Sequence, residues 1–234
     1  MANKLGCLIV HGFGGSIKEI SPLAEALSRQ GYQVATPILK GHTGLRKDLI
    51  GVTYNHWLHS AQEGLENLKI TCDSIVVIGF SMGGLVAFNL ATEYNFSGIV
   101  TINTPIYFWD FKQIAVNIWE DIKNARCFYL KKFIKSNLKT PFSAKLQFLH
   151  LLRKTKALIA TPIFPAALVL QTLDDDTVQA RSAKFIYDRL NCPDKKIQYY
   201  KQGGHLVLIS GTAQKAINDI IEFLRNLENK LVKK

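Results

Sequence analysis

Six residues, "GFSMGG" at positions 79–84, hold the chain's clearest chemical signal. Gly79, Ser81 and Gly83 satisfy G-x-S-x-G between a β-rich run and a helix-like run, the setting in which that spacing builds a nucleophile turn. The serine must project its hydroxyl from a sharp bend, and the flanking glycines remove the side chains such a bend would crowd. A residue that opens a helix directly after the serine offers its backbone N–H to developing negative charge, and Met82 has that place. A serine hydroxyl is a weak nucleophile at neutral pH. The pattern therefore demands a base, and the base demands an acid to fix its tautomer.

Six histidines are available: His11, His42, His56, His59, His150 and His205. Only His205, in "QGGHLVLIS", lies in a loop after the last predicted strand, where Gly203 and Gly204 permit an irregular approach to the sheet edge. It is the leading base. His56 and His59 fall on a predicted helix surface, His150 is expected to pack among leucines, and His42 in "LKGHTGL" to orient a loop. For the acid, "QTLDDDTV" at 171–178 offers Asp174, Asp175 and Asp176, which the residues alone leave open. A second oxyanion donor is expected after the first strand, in "IVHGFGGS". There Gly12, Gly14 and Gly15 let the backbone turn the Phe13 N–H toward Ser81, with His11 in support. His11, Gly12 and Gly14 are expected on the substrate side of that loop. A dinucleotide site is the competing reading, but the full G-x-G-x-x-G spacing is missing and no acidic residue follows the second strand.

These residues need a scaffold that brings several loops to one edge. Short apolar runs are suggested as strands at 5–10, 32–37, 74–79, 98–103, 166–171 and 196–200, each followed by a turn and a helical pattern. Such alternation predicts a parallel sheet covered by helices, and near-continuous apolar strands predict burial on both faces. Trp57, Leu58, Ala61, Leu65 and Leu68 form one helical stripe; Ala213, Ile217, Ile220, Leu224 and Leu227 form another. Residues 106–156 break the pattern. They are rich in lysine and in aromatics such as Trp109, Phe111, Trp119, Phe128, Tyr129 and Phe133, and read as a small helical cap inserted in a core of 1–105 and 157–234.

With 47% hydrophobic and 20% charged residues in 234, the chain has the composition of one folded domain. The net charge of +11 is uneven, for eleven basic and three acidic residues fall within 106–156. Contact of that basic cap with anionic lipid is one expectation and a solvated surface the other; no nucleic-acid recognition module is matched. Cys7, Cys72, Cys127 and Cys192 are scattered without metal-ligand spacing, so free thiols, no metal and no cofactor are expected. No apolar run approaches a membrane span or a signal peptide, and a cytoplasmic monomer or dimer is expected.

The order "LIVHGFGGS", "LKGHTG", "IGFSMGG", "DDDTV" followed by "SAKFIYDRL", and "GGHLV" resembles the α/β-hydrolase superfamily, in particular small bacterial carboxylesterases and monoacylglycerol lipases. The resemblance implies that fold, about six strands, with Ser81, Asp175 and His205 as catalytic residues and Phe13 and Met82 as the oxyanion hole. In the family the acid precedes an apolar residue three positions on and a Ser-Ala opening the next helix, which selects Asp175 through Val178 and Ser182. Asp174 and Asp176 are left as loop residues bonded locally or facing solvent. The expected activity is hydrolysis of a small-molecule acyl ester, of short to medium chain or a monoacylglycerol. Thioester or lysolipid cleavage is the alternative, and a non-catalytic ligand-binding relative the more distant one.

Overall fold

The computed structural model describes residues 4–108, 119, 123 and 140–232. Six strands form one sheet: β1 (Leu5–Val10), β2 (Gln33–Ala35), β3 (Ser74–Phe80), β4 (Gly98–Ile102), β5 (Ala166–Thr172) and β6 (Asp194–Tyr200). Their order across the sheet is β2-β1-β3-β4-β5-β6, and every neighbouring pair is parallel. The helices are α1 (Ser21–Arg29), α2 (Tyr54–Lys69), α3 (Met82–Leu90), α4 (Phe142–Leu158), α5 (Arg181–Arg189) and α6 (Ala213–Val232). Among the described residues no helix is long and apolar enough to cross a membrane.

Apolar side chains on alternate residues of the central strands feed two cores, one on each face, because successive strand residues point to opposite sides. Leu8, Val10, Val77 and Val169 pack with Trp57 and Leu65 of α2, Phe88 of α3, Leu151 of α4 and Ile186 of α5. Cys7, Ile9, Ile78, Phe80 and Leu168 pack with Leu23 and Leu27 of α1 and with Ile217, Ile220 and Leu224 of α6. Each such side chain stabilises the fold by about 1.5–3 kcal/mol through its removal from water. Both predicted helical stripes thus face the sheet.

The edges differ from expectation. β2 covers only Gln33–Ala35, since Gly31 just before it is in the left-handed region and Pro37 after it has no N–H for a ladder. β6 begins at Asp194 with exposed positions, because an edge strand is covered on one side only. Much of the expected 106–156 insertion lies outside the described residues, including Trp109, Phe111, Phe128, Tyr129 and Phe133. Its end is described: α4 runs past 156 to Leu158, and its second half is tied to α3 where Asn89 Nδ2 donates to Thr155 Oγ1 at 2.7 Å. His150, expected to pack, is exposed on α4. Cys7, Cys72 and Cys192 are buried free thiols, and Cys127 lies outside the described residues.

β1 lies between β2 and β3, so the chain leaves β1 toward one edge and β3 toward the other. The loops after these two strands diverge and leave a crevice at the carboxyl ends, where open parallel sheets place their ligands.

Candidate active site

β3 ends at Phe80 and α3 begins at Met82, so one residue, Ser81, makes the whole turn. Its backbone stands at φ 53 and ψ −123, a region sparsely used by residues with a Cβ; such positions cost about 1–3 kcal/mol and persist only when their surroundings hold them. Here the Ser81 N–H donates to Ile102 O at 2.8 Å, and its carbonyl accepts from Gly84 N at 3.0 Å. A Cβ on Gly79 would strike the Gly83–Gly84 backbone, and one on Gly83 would strike the Val10 carbonyl. Both glycines are thus demanded by close approach of backbone. Met82 opens α3, so helix geometry supplies no acceptor for its N–H.

The structure brings Ser81, Asp175 and His205 together. His205 Nε2 lies 2.9 Å from Ser81 Oγ, and His205 Nδ1 lies 2.8 Å from Asp175 Oδ2. A carboxylate only accepts, so Nδ1 carries the proton and Nε2 is left to accept from the serine hydroxyl. The other oxygen, Asp175 Oδ1, accepts from Thr177 N at 2.8 Å and Val178 N at 2.9 Å, which fixes the carboxylate's orientation. Burial pulls the His205 pKa down, but the Asp175 charge and hydrogen bond, with the charges of Asp176 and Glu19, outweigh it and raise the pKa above its ordinary value.

Asp174, expected to bond locally or face solvent, instead reaches across to the histidine loop. Its Oδ1 accepts from Gly204 N at 2.8 Å and its Oδ2 from Gly203 N at 3.1 Å. Asn103, which sequence reasoning missed, holds the same loop from β4. Its Nδ2 donates to His205 O at 2.9 Å and to Gly204 O at 3.1 Å, while Oδ1 accepts from Thr172 N at 2.9 Å. Thr172 Oγ1 adds a bond to Gly204 O at 2.7 Å. Asn103 has φ 46, and Asn tolerates that region better than most residues with a Cβ; an Asn directly after a buried strand was the available signal. Asn103 N also donates to Leu170 O at 2.9 Å, and Leu173 N to Tyr200 O at 2.8 Å.

The loop after β1 approaches the serine closely. A Cβ on Gly12 would stand 3.2 Å from Ser81 Cβ, Gly14 has φ 66, and Gly15 N donates to Gly12 O at 3.4 Å. Phe13 is half-buried, its ring stacked on Phe148 of α4 at 5.2 Å and edge-on to Trp57 at 5.6 Å. The expected contact of His11 with substrate is not what the geometry supports. Its Nε2 accepts from Leu39 N at 3.2 Å and its Nδ1 faces Gly12 O at 2.9 Å, so both ring nitrogens serve the loops. Burial lowers the pKa of His11, and burial with its neighbour His11 lowers that of His42 to about 4, so both are neutral near pH 7. His42, as expected, orients a loop, with Nδ1 facing Leu39 O at 3.2 Å and Lys40 O at 3.3 Å.

A parallel sheet with a strained serine between strand and helix, a histidine within bonding distance and a carboxylate behind it defines the α/β-hydrolase class. The chain belongs to the alpha/beta hydrolase fold family, which matches residues 8–148. Over 233 residues it is 31% identical to a thermostable monoacylglycerol lipase of Bacillus sp. (strain H-257), covering 94% of this chain and 90% of the relative. It is 25% identical over 231 residues to a carboxylesterase of Bacillus subtilis (strain 168), covering 94% and 92%. Among solved structures, one from work on the metagenome-derived lipolytic enzymes LipS and LipT has a TM-score of 0.80 at 21% identity, over 97% of this chain and 95% of that one. A soluble variant of the Saccharomyces cerevisiae monoglyceride lipase has a TM-score of 0.71 at 17% identity, over 96% and 88%.

Proposed function

We propose that this protein hydrolyses carboxylic esters, of short to medium acyl chains or monoacylglycerols, through a Ser81-His205-Asp175 triad and an acyl-enzyme. The observation that carries the reading is the continuous hydrogen-bond chain from Asp175 through His205 to Ser81, at 2.8 and 2.9 Å, ending on a serine at a helix start. The activities named for the two Bacillus relatives support it.

In the reaction Ser81 Oγ gives its proton to His205 Nε2 and bonds to the ester carbonyl carbon. The carbonyl electrons move to oxygen, which rests on the Phe13 and Met82 N–H groups, and Asp175 steadies the imidazolium. Collapse breaks the bond to the alcohol oxygen, which leaves with the proton from His205. Water then repeats the sequence on the acyl-enzyme and frees the acid. The partly exposed rings of Phe13 and Phe148, backed by buried Trp57, suit an apolar acyl chain. Gly12 and Gly14 shape the loop beside it, and His11 is assigned to loop support.

A p-nitrophenyl ester series of increasing acyl length, run with monoacylglycerols and an acyl thioester, tests the reading beside Ser81→Ala. Equal rates for wild type and variant would remove the serine mechanism. For the basic 106–156 segment we propose contact with anionic lipid, supported by exposed Phe142, Leu146 and Leu149 beside exposed Arg153 and Lys154 on α4. Each cation near such a surface contributes about 1 kcal/mol. Binding to neutral vesicles as strong as to anionic ones would end this proposal.

A further inference from the structure

Glu19 is a half-buried carboxylate that the reaction above leaves unused. It closes the short turn Ile17–Glu19 that follows the glycine loop, and it folds back over that loop. Its carboxylate lies above the Gly15 Cα, in the space a Cβ would occupy. Its Oε2 also lies 3.5 Å from the Cβ position of Gly12, and Ser81 Cβ lies 3.2 Å from the same point. Carboxylate and serine therefore flank one glycine. Phe80 Cε1 reaches that glycine too, at 3.3 Å, and the Phe80 ring packs on His205 with centroids 5.3 Å apart.

A carboxylate withdrawn from water costs several kcal/mol unless hydrogen bonds or a cation offset it. Glu19 has both kinds of partner at hand. The Gly12 backbone and the His205 charge both favour its ionised form, against the burial that disfavours it. We propose that Glu19 is a positioning residue for the serine reaction: it pins the Gly12–Gly15 loop that carries the Phe13 N–H, and its charge steadies the His205 cation that forms as Ser81 loses its proton. The inference rests on the ester-hydrolase reading above.

The charges facing His205 are those of Asp175 and Asp176 from the turn after β5 and of Glu19 from the turn that follows the glycine loop. Burial raises the Glu19 pKa, opposed by the His205 charge and the Gly12 hydrogen bond. Losing the Glu19 charge removes one of the three charges that favour the His205 proton. The base then stays neutral to lower pH.

The test is a set of pH profiles of kcat and kcat/KM on p-nitrophenyl butyrate for wild type, Glu19→Gln, Gly15→Ala and Ser81→Ala. Glu19→Gln keeps an acceptor for Gly12 but no charge; its plateau rate falls about threefold to tenfold and its acid limb moves to lower pH. Gly15→Ala places a methyl group where the carboxylate sits and displaces it. One charge-assisted hydrogen bond lost from the loop corresponds to about a tenfold fall in kcat, with KM little changed. An acid limb in Glu19→Gln that coincides with wild type overturns the inference, as does a wild-type kcat in Gly15→Ala. Full activity in Ser81→Ala would instead overturn the underlying mechanism, so the two failures are distinct.

Discussion

Asp175→Asn tests the proposed acid with the least change in shape. Two backbone N–H groups, of Thr177 and Val178, bond to Oδ1 at 2.8 and 2.9 Å, so an Asn here must keep its carbonyl oxygen on that side. Its NH2 is then forced against His205 Nδ1, where the carboxylate oxygen now lies 2.8 Å away. Two donors cannot share that contact, so Nδ1 gives up its proton and Nε2 becomes the protonated nitrogen. A protonated Nε2 has no lone pair for the Ser81 hydroxyl, and the base is disabled in place. Recovering the active tautomer means losing one hydrogen bond and opposing two donors, about 4–5 kcal/mol in all, or on the order of 1000-fold or more in kcat. Stability changes by only about 1 kcal/mol, because the backbone bonds to Oδ1 survive. Initial rates on p-nitrophenyl butyrate, read beside a thermal melt, decide it. A folded variant with activity within tenfold of wild type would refute the argument.

The remaining predictions use the same assays. Asp174→Ala removes both acceptors for Gly203 and Gly204 and should lower kcat about 10- to 100-fold with KM little changed, while Asp176→Asn, which keeps the His205 loop bonded, should cost less than tenfold. Because the His205 pKa is raised and the base must be neutral, activity should be lost as pH falls through a value above the ordinary imidazole pKa of about 6.5; a midpoint below 6 contradicts this. Ser81→Gly, inactive, should be more stable to urea than Ser81→Ala by about 1 kcal/mol, since Gly accepts φ 53 freely. Gly83→Ala should destabilise by about 3 kcal/mol or more, because its methyl meets the Val10 carbonyl, which has no room to yield.

What the sequence made legible was whatever is encoded within a few residues. The Ser81 turn shows because its strain is relieved by glycines two residues either side. The family resemblance selects Asp175 through Val178 and Ser182, and the structure gives both positions work to do. Val178 N binds Asp175 Oδ1, and Ser182 Oγ donates to Tyr107 O at 3.0 Å, tying the start of α5 to the chain after β4. Asp174, Asn103 and Glu19 stayed unread because their partners are distant in sequence or depend on how a loop folds over its own glycines. Three adjacent aspartates look alike on paper, yet one faces His205, one grips the loop that carries it and one accepts from the Thr177 hydroxyl. His150 was misjudged because leucines beside it on α4 point both inward and outward, as buried Leu151 and exposed Leu149 do.

The bonds just beyond the strand ends divide the site into two mechanical regimes. Ser81 hangs by its amide from β4, Asn103 from β5 and Leu173 from β6, each a ladder bond taken one step past its own strand. These three loops are therefore as firm as the sheet. Among the described residues no strand lies beyond β6, so the His205 loop has no neighbouring strand to hang from. Side chains of Asn103, Thr172 and Asp174 stand in for the missing strand. Amide exchange at Ser81 and Asn103 should track global unfolding, while Gly203 and Gly204 should exchange through local opening, which makes the base the part of the site that loosens first.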